Sequence, residues 1–237
     1  MSETITLRYF NARGRAQFIR YFLRVRNTDF VDERIPLEAD FSSWMAVRDD
    51  TSRTGPFHKL PVMEIDGLQL AETSVITNYL HERFGDSVAL REKADLQHRQ
   101  LMSALNDDVT MAVGLMLWAE VMFQGVDFPA YVKRTFDRLG TALINLERVL
   151  VDWRWLEESN LRPIMLADCR LWESIDVCRT VFGDALSFGE LPVLEEIHRR
   201  YASRTAFSEM LAEHPCPITA RDNEPEVIER VQAILRP

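Results

Sequence analysis

The 237-residue sequence predicts an α/β domain over residues 1–85 followed by an all-α domain over residues 86–237. Three observations carry this. A strand pattern passes directly into a helix pattern near the N-terminus, two short apolar runs are joined by Asp66-Gly67, and beyond Gly85 the period-two signal gives way to long helical periodicity.

The elements follow in order. "TITLRYF" (4–10) alternates as a half-buried strand does, and from Arg15 to Val25 the apolar Phe18, Ile19, Phe22 and Val25 fall at helical spacing, with Arg20 and Arg24 on another face. "DFVDERIPL" (29–37) is a second strand, followed by a polar stretch to Thr54 that contains Trp44 and Arg48. "KLPVMEIDGLQLAETSVITNYLHERFG" (59–85) supplies two strands joined by a hairpin turn, then a helix from near Thr73 that stops at Gly85. Residues 92–123 and 128–151 carry long helical repeats, the second opened by Pro129. Helices are expected at Leu166 to Phe182 and Pro192 to Ala206, and the two domains join near residues 85–91.

Composition narrows the function. With 46% hydrophobic residues the chain can fill a real core, and no apolar stretch approaches the ~20 residues that cross a bilayer. The start "MSETITLRYF" lacks a signal peptide's charged and apolar regions, so a cytoplasmic protein is expected, without a membrane partner. Net charge is −9, shared as 11 basic and 12 acidic residues up to Gly85 against 17 and 25 after it. Such a balance disfavours a nucleic-acid surface, which needs clustered positive charge. Cys169, Cys178 and Cys216 have no C-x-x-C spacing and read as buried or idle thiols. The five histidines show no metal spacing, so no metal site is expected.

Three pieces stand out: "YFNARGR" after the first strand, "KLPVMEIDG" with its Leu60-Pro61 pair, and "LAETSVITNYL" leading a helix. In this order and spacing they resemble the cytosolic glutathione transferases, especially the tyrosine-type alpha, pi and sigma classes, and the resemblance extends over the helical remainder. It implies a thioredoxin-like first domain with a mixed four-stranded sheet and a cis Leu60-Pro61 bond. That bond would turn the backbone of Leu60 toward the cysteinyl part of glutathione, which pairs with it as an added strand.

The resemblance also assigns roles. Tyr9 matches the catalytic tyrosine, whose hydroxyl donates to the glutathione sulfur. A free thiol titrates near ~8.5, and lowering that by about two units requires roughly 2.7 kcal/mol. Arg15 matches the arginine that supplies positive field. Residues 8–26 hold six arginines and no acid, so most of these are expected to be solvated or paired with carboxylates of the helical domain. Thr73 matches the residue that holds the γ-glutamyl carboxylate at a helix N-terminus. Glu72 stands where these classes usually have glutamine and faces the γ-glutamyl ammonium. Trp44 and Arg48 resemble the pair at the glycyl end, and Lys59 replaces a frequent glutamine there. Phe57 sits at the aromatic "key" position inserted between helices of a partner subunit. The implied homodimer would carry Asp107 or Asp108 of "LNDDV" across to the neighbour's γ-glutamyl amine. Phe10, Thr110, Val113 and Gly114 would line the second-substrate pocket, with help from the stretch after Pro215. One departure is Met165, which stands where a serine or threonine commonly caps the helix of Asp168. Losing such a cap costs ~1 kcal/mol and predicts altered local stability there.

The expectation is therefore a detoxifying transferase of alkyl or aryl groups, with glutathione as co-substrate and a small hydrophobic electrophile as its partner. The alternatives are a glutathione- or hydrophobic-ligand-binding protein with little turnover, or a glutathione-dependent isomerase or peroxidase. A cysteine-based thiol-transferase is disfavoured because "NARGR" holds no cysteine.

Overall fold

The computed structural model describes residues 4–38, 40–84, 92–219 and 223–236. Its first part contains β1 (Ile5–Phe10), α1 (Gln17–Val25), β2 (Phe30–Ile35), α2 (Ser42–Val47), the single turn α3 (Thr51–Thr54), β3 (Val62–Ile65), β4 (Leu68–Ala71) and α4 (Thr73–Arg83). The strands form one mixed sheet in the order β2-β1-β3-β4. β1 and β2 are parallel, with Ile5 opposite Phe30 and Phe10 opposite Ile35, while β3 lies antiparallel to both β1 and β4. Strict alternation in β1 buries Ile5, Leu7 and Tyr9 on one face, so Tyr9 enters the structure as a core-facing residue at the strand's last turn of pleat. The Gly85 helix stop and the 85–91 junction lie outside the described residues.

The remainder is mostly helical. α5 (Glu92–Ala104) passes through a π-helical segment (Leu105–Thr110) into α6 (Met111–Met122), so the single long repeat expected over 92–123 is interrupted. π turns add a residue without ending the helix and occur often at functional sites. α7 (Phe128–Asp152) begins with the Asp127 carboxylate accepting from the Ala130 N–H at 3.1 Å and Pro129 in its first turn. The short α8 (Trp155–Glu158) precedes α9 (Leu166–Phe182), whose bounds agree with the sequence reading. The helix expected over 192–206 is instead α10 (Pro192–Ala202) and α11 (Thr205–Glu213), turned apart at Ser203-Arg204, and α12 (Glu224–Leu235) was not foreseen.

α9 is buried along most of its length and α1 packs across it. Tyr21 meets the Trp172 ring edge-on at 5.1 Å, and Arg13 donates to both oxygens of Glu173 (3.0 and 2.9 Å) and to Asp176 at 2.6 Å. The arginine-rich start is thus partnered in two ways. Arg13 and Arg24 reach carboxylates of the helical part, Glu173, Asp176 and Glu213. Arg8 and Arg20 pair inside the sheet part with Glu33, Glu64 and Asp32. At the start of α9, buried Asp168 accepts from the Met165 N–H at 2.9 Å, from Trp155 Nε1 at 3.0 Å and from Arg162. These bonds tie a helix end that lacks a hydroxyl cap. Burial holds the His98 imidazole, 4.5 Å from the Trp155 ring, down to about 3, so it is neutral.

Candidate functional site

The site begins where β1 ends. Residues 11–16 turn sharply, and this turn is stitched to the chain's far end: the Arg13 and Gly14 N–H groups donate to the carbonyls of Pro217 and Ile218 at 2.8 and 3.0 Å. The stretch after Pro215, expected on the second-substrate pocket, thus also braces this turn. Gly14 has φ +37°, and a Cβ there would lie 2.5 Å from the Tyr9 hydroxyl oxygen. Only glycine lets the turn close this tightly over the ring.

That closure places the Arg15 N–H 3.1 Å from the Tyr9 oxygen, to which it donates. The hydroxyl's lone pair is engaged by the backbone, so its own proton is directed elsewhere. Burial pushes the Tyr9 hydroxyl above the ordinary tyrosine value, and the opposing effects of the Arg15 N–H and the charges of Arg15, Arg20 and Arg170 are smaller. The group is consequently a protonated donor at neutral pH. Phe10 packs edge-on between Tyr9 (5.4 Å) and Trp44 (5.3 Å), which links α2 to the same spot through an aromatic chain.

A polar groove of about 130 Å³ opens beside the turn, lined by Arg15, Glu72, Thr73, Ser74, Asn106, Asp107, Thr110 and Arg170. Glu72 precedes α4 with φ +69°, a conformation that costs a non-glycine residue of order 1–3 kcal/mol and is found mostly at functional positions. It aims the N-terminus of α4 at the groove. The buried Thr73 Oγ1 has no hydrogen-bond partner among the described residues. Free N–H groups, a hydroxyl and Arg15 together favour a carboxylate, while Glu72 and Asp107 favour a cation a few ångströms away. The groove therefore suits a zwitterion. Asp107 sits on the π segment and accepts from Ser103 Oγ at 3.2 Å.

Other expected residues stand apart from this groove. Trp44 is half-buried at the far side of Phe10, and Arg48 ends α2 in an exposed double bond to Asp49 (2.9 and 3.1 Å). Lys59 is exposed, and Leu60 is half-buried at the cis bond to Pro61, just before β3. Thr110, Val113 and Gly114 line a cavity of about 40 Å³ together with Gly14, Arg170, Ser174 and Ile218, and Phe10 is not on its wall. Asp108 faces away from Asp107, into a groove of about 600 Å³ between α5 and α7 that includes Leu101, Leu105, Ala142, Leu146 and Trp153. Phe57, 57% exposed, stands on the sheet part.

Gly14 and Arg170 were not singled out in the sequence. The first had a signal, a glycine between two arginines. The second had one too, an arginine inside the apolar run "LADCRLW". Among the described residues no group of three or more His, Cys, Asp or Glu could hold a metal ion, and no helix is long and apolar enough to cross a membrane.

Comparison with known proteins agrees with this fold. Residues 5–82 match the family model "Glutathione S-transferase, N-terminal domain". The chain is 33% identical to hematopoietic prostaglandin D synthase of Rattus norvegicus over 154 residues, 63% of this chain and 68% of that one. It is 34% identical to Rattus norvegicus glutathione S-transferase alpha-2 over 84 residues, 35% and 36% of the two chains. Among solved structures, rat hPGDS complexed with a quinoline superposes with a TM-score of 0.66 at 26% identity, covering 91% of this chain and 99% of that one. The monomeric Na-GST-3 of Necator americanus gives 0.70 at 20% identity, covering 90% and 98%.

Proposed function

The chain belongs to the cytosolic glutathione S-transferase superfamily, and from that premise we propose that it is a transferase that activates the glutathione thiol through Tyr9. The observation that carries the reading is the Tyr9 hydroxyl, whose oxygen accepts from the N–H of Arg15, a residue on the wall of the zwitterion-suited groove, so that its own proton is left to be donated.

In this reading residues 1–85 bind glutathione. Thr73 and the start of α4 take the γ-glutamyl carboxylate, Glu72 takes the ammonium, Leu60 pairs with the cysteinyl backbone, and Trp44, Arg48 and Lys59 meet the glycyl end. Arg48 can exchange its exposed bond to Asp49 for the ligand at little cost, since such pairs contribute about 0–1 kcal/mol. The Tyr9 O–H then donates to the sulfur, which stabilises thiolate over thiol, and Arg15 adds positive field. The thiolate attacks the electrophile, its lone pair forms the new C–S bond, and the displaced electron pair leaves on the departing group or on the adjacent activated carbon.

Residues 86–237 would supply the second pocket, at Thr110, Val113 and Gly114 with Phe10 beside it, and the dimer interface. For the latter, the exposed Phe57 is the candidate key and the mostly apolar groove between α5 and α7, roomy enough for an aromatic ring, is the candidate receptor. A homodimer formed through them would also bring Asp107 or Asp108 near the neighbour's groove. The proposed setting is cytoplasmic detoxification. A glutathione- or hydrophobic-ligand-binding protein with little turnover is the second reading, favoured by the small second cavity of about 40 Å³. An isomerase or peroxidase would use the same thiolate.

The test is ultraviolet titration of bound thiolate from about pH 5 to 9 in the wild type and Tyr9→Phe. A bound-thiol pKa well below ~8.5 that returns toward it in the variant supports the transferase. Saturable binding with an unshifted thiol supports the second reading.

A further inference from the structure

Arg170 is a buried arginine whose charge is eased only at a distance, by the field of Glu173. It lies on α9 at 1% exposure, with its guanidinium 4.6 Å over the Phe18 ring, and its Nε and Nη1 have no hydrogen-bond partner among the described residues. The carboxylate nearest in sequence, Glu173, is already held at both oxygens by Arg13. Burial lowers the guanidinium only to about 10, so the cation persists at neutral pH. A buried guanidinium with unfilled donors carries a desolvation cost that a ligand carboxylate bonded to it would offset.

One turn further along the same face, Ser174 Oγ is also buried and unpartnered. Both side chains line the 40 Å³ cavity beside Gly14, Val113 and Gly114, and Arg170 also lines the polar groove. Two residues with unfilled donors, one of them charged, therefore border a space about the size of a carboxyl group, whose remaining walls are mostly apolar but include Thr110, Thr219 and Glu173, the last held by Arg13.

We infer that Arg170 and Ser174 form an anion subsite in the second-substrate pocket, so that the preferred second ligand is an apolar molecule ending in a carboxylate. The inference rests on the proposed two-pocket reading. The carboxylate takes the guanidinium and the hydroxyl, and the apolar body extends outward past Val109 and Val113. Glutathione's own carboxylates are accommodated separately, at Arg15 and Thr73.

The experiment is calorimetric titration of the full chain, saturated with glutathione so that the polar groove is filled, with 4-phenylbutanoate and with its neutral isostere 4-phenylbutanamide. The acid should bind at least tenfold more tightly than the amide in the wild type. That ratio should fall to near one in Arg170→Met and by about threefold in Ser174→Ala. Equal affinity of acid and amide in the wild type, binding of neither, or an acid preference that survives in Arg170→Met would each overturn the subsite. The wild-type ratio needs no variant to fold. The glutathione isotherm, recorded first, tests the underlying reading separately. If glutathione fails to bind, the same acid–amide comparison in the free protein still reads the subsite alone.

Discussion

The backbone N–H of Arg15 donates to the hydroxyl oxygen of Tyr9 at 3.1 Å, across a turn only five residues long. The residue commonly credited for its side-chain charge thus also acts through its main chain. It fixes the oxygen and leaves the phenolic proton as the one free to be given. A hydrogen bond to a charged acceptor contributes about 1.5–3 kcal/mol, so Tyr9→Phe should lower kcat/KM near pH 6.5 by roughly 10- to 100-fold with little change in glutathione affinity. Steady-state kinetics with 1-chloro-2,4-dinitrobenzene measures this. An unchanged kcat/KM would remove Tyr9 from the chemistry.

Arg13 and Glu173 form a buried, doubly bonded pair that joins the turn to α9. In Glu173→Gln the guanidinium loses half of its compensation and keeps only Asp176, which costs about 3 kcal/mol. Urea unfolding should show a reduced midpoint with an unchanged slope. A loss below about 1 kcal/mol would mean that Asp176 alone suffices.

His98 is held neutral down to about pH 3 by burial, whereas in the unfolded chain it titrates near ~6.5. Between these values the unfolded state binds the extra proton, so stability declines as pH falls below ~6.5, by up to about 1.4 kcal/mol per pH unit from this group. Above ~6.5 the group contributes no slope. His98→Phe keeps a ring against Trp155 and should flatten the fall between pH 6 and 4 in denaturant titrations. An unaltered slope would place the acid sensitivity elsewhere.

Phe57 is more than half exposed, and the groove between α5 and α7 is mostly apolar in surface, with Asp108 and Arg138 among its lining. Phe57→Ser should shift sedimentation from dimer to monomer while leaving the far-ultraviolet spectrum intact. A wild type that already sediments as a monomer, as the name of the Necator structure describes for that protein, would contradict the interface.

Much of this was readable in the sequence because it rests on local chemistry. Alternation in "TITLRYF", the Asp66-Gly67 turn and the apolar pattern of Leu166 to Phe182 act within a few residues. The π segment escaped detection because it keeps Leu105, Val109 and Val113 four apart, the same spacing an α-helix uses. The break at Ser203-Arg204 carries neither glycine nor proline to announce it. α12 had its signals, Pro225 with Val227, Val231 and Leu235 behind it, but they sit in a strongly charged stretch. The groove gathers Arg15, Glu72 and Thr73 from separate motifs, and Asp107, expected to serve a partner's groove, lines the groove of its own chain. Arg170 could be placed only in three dimensions, since its lack of a partner depends on where Arg13 spends Glu173.

The contact between Gly14 and Tyr9 has a bearing on how such a turn can diverge. With a Cβ at position 14 falling 2.5 Å from the phenolic oxygen, a side chain at 14 and a hydroxyl at 9 exclude one another. A side chain at 14 evicts the hydroxyl, while a smaller residue at 9 leaves a hole under the loop that nothing nearby can fill. The two positions behave as one heritable unit, so related chains are expected either to keep both or to exchange both at once, and a library randomising them jointly should recover pairs that no single-site scan contains.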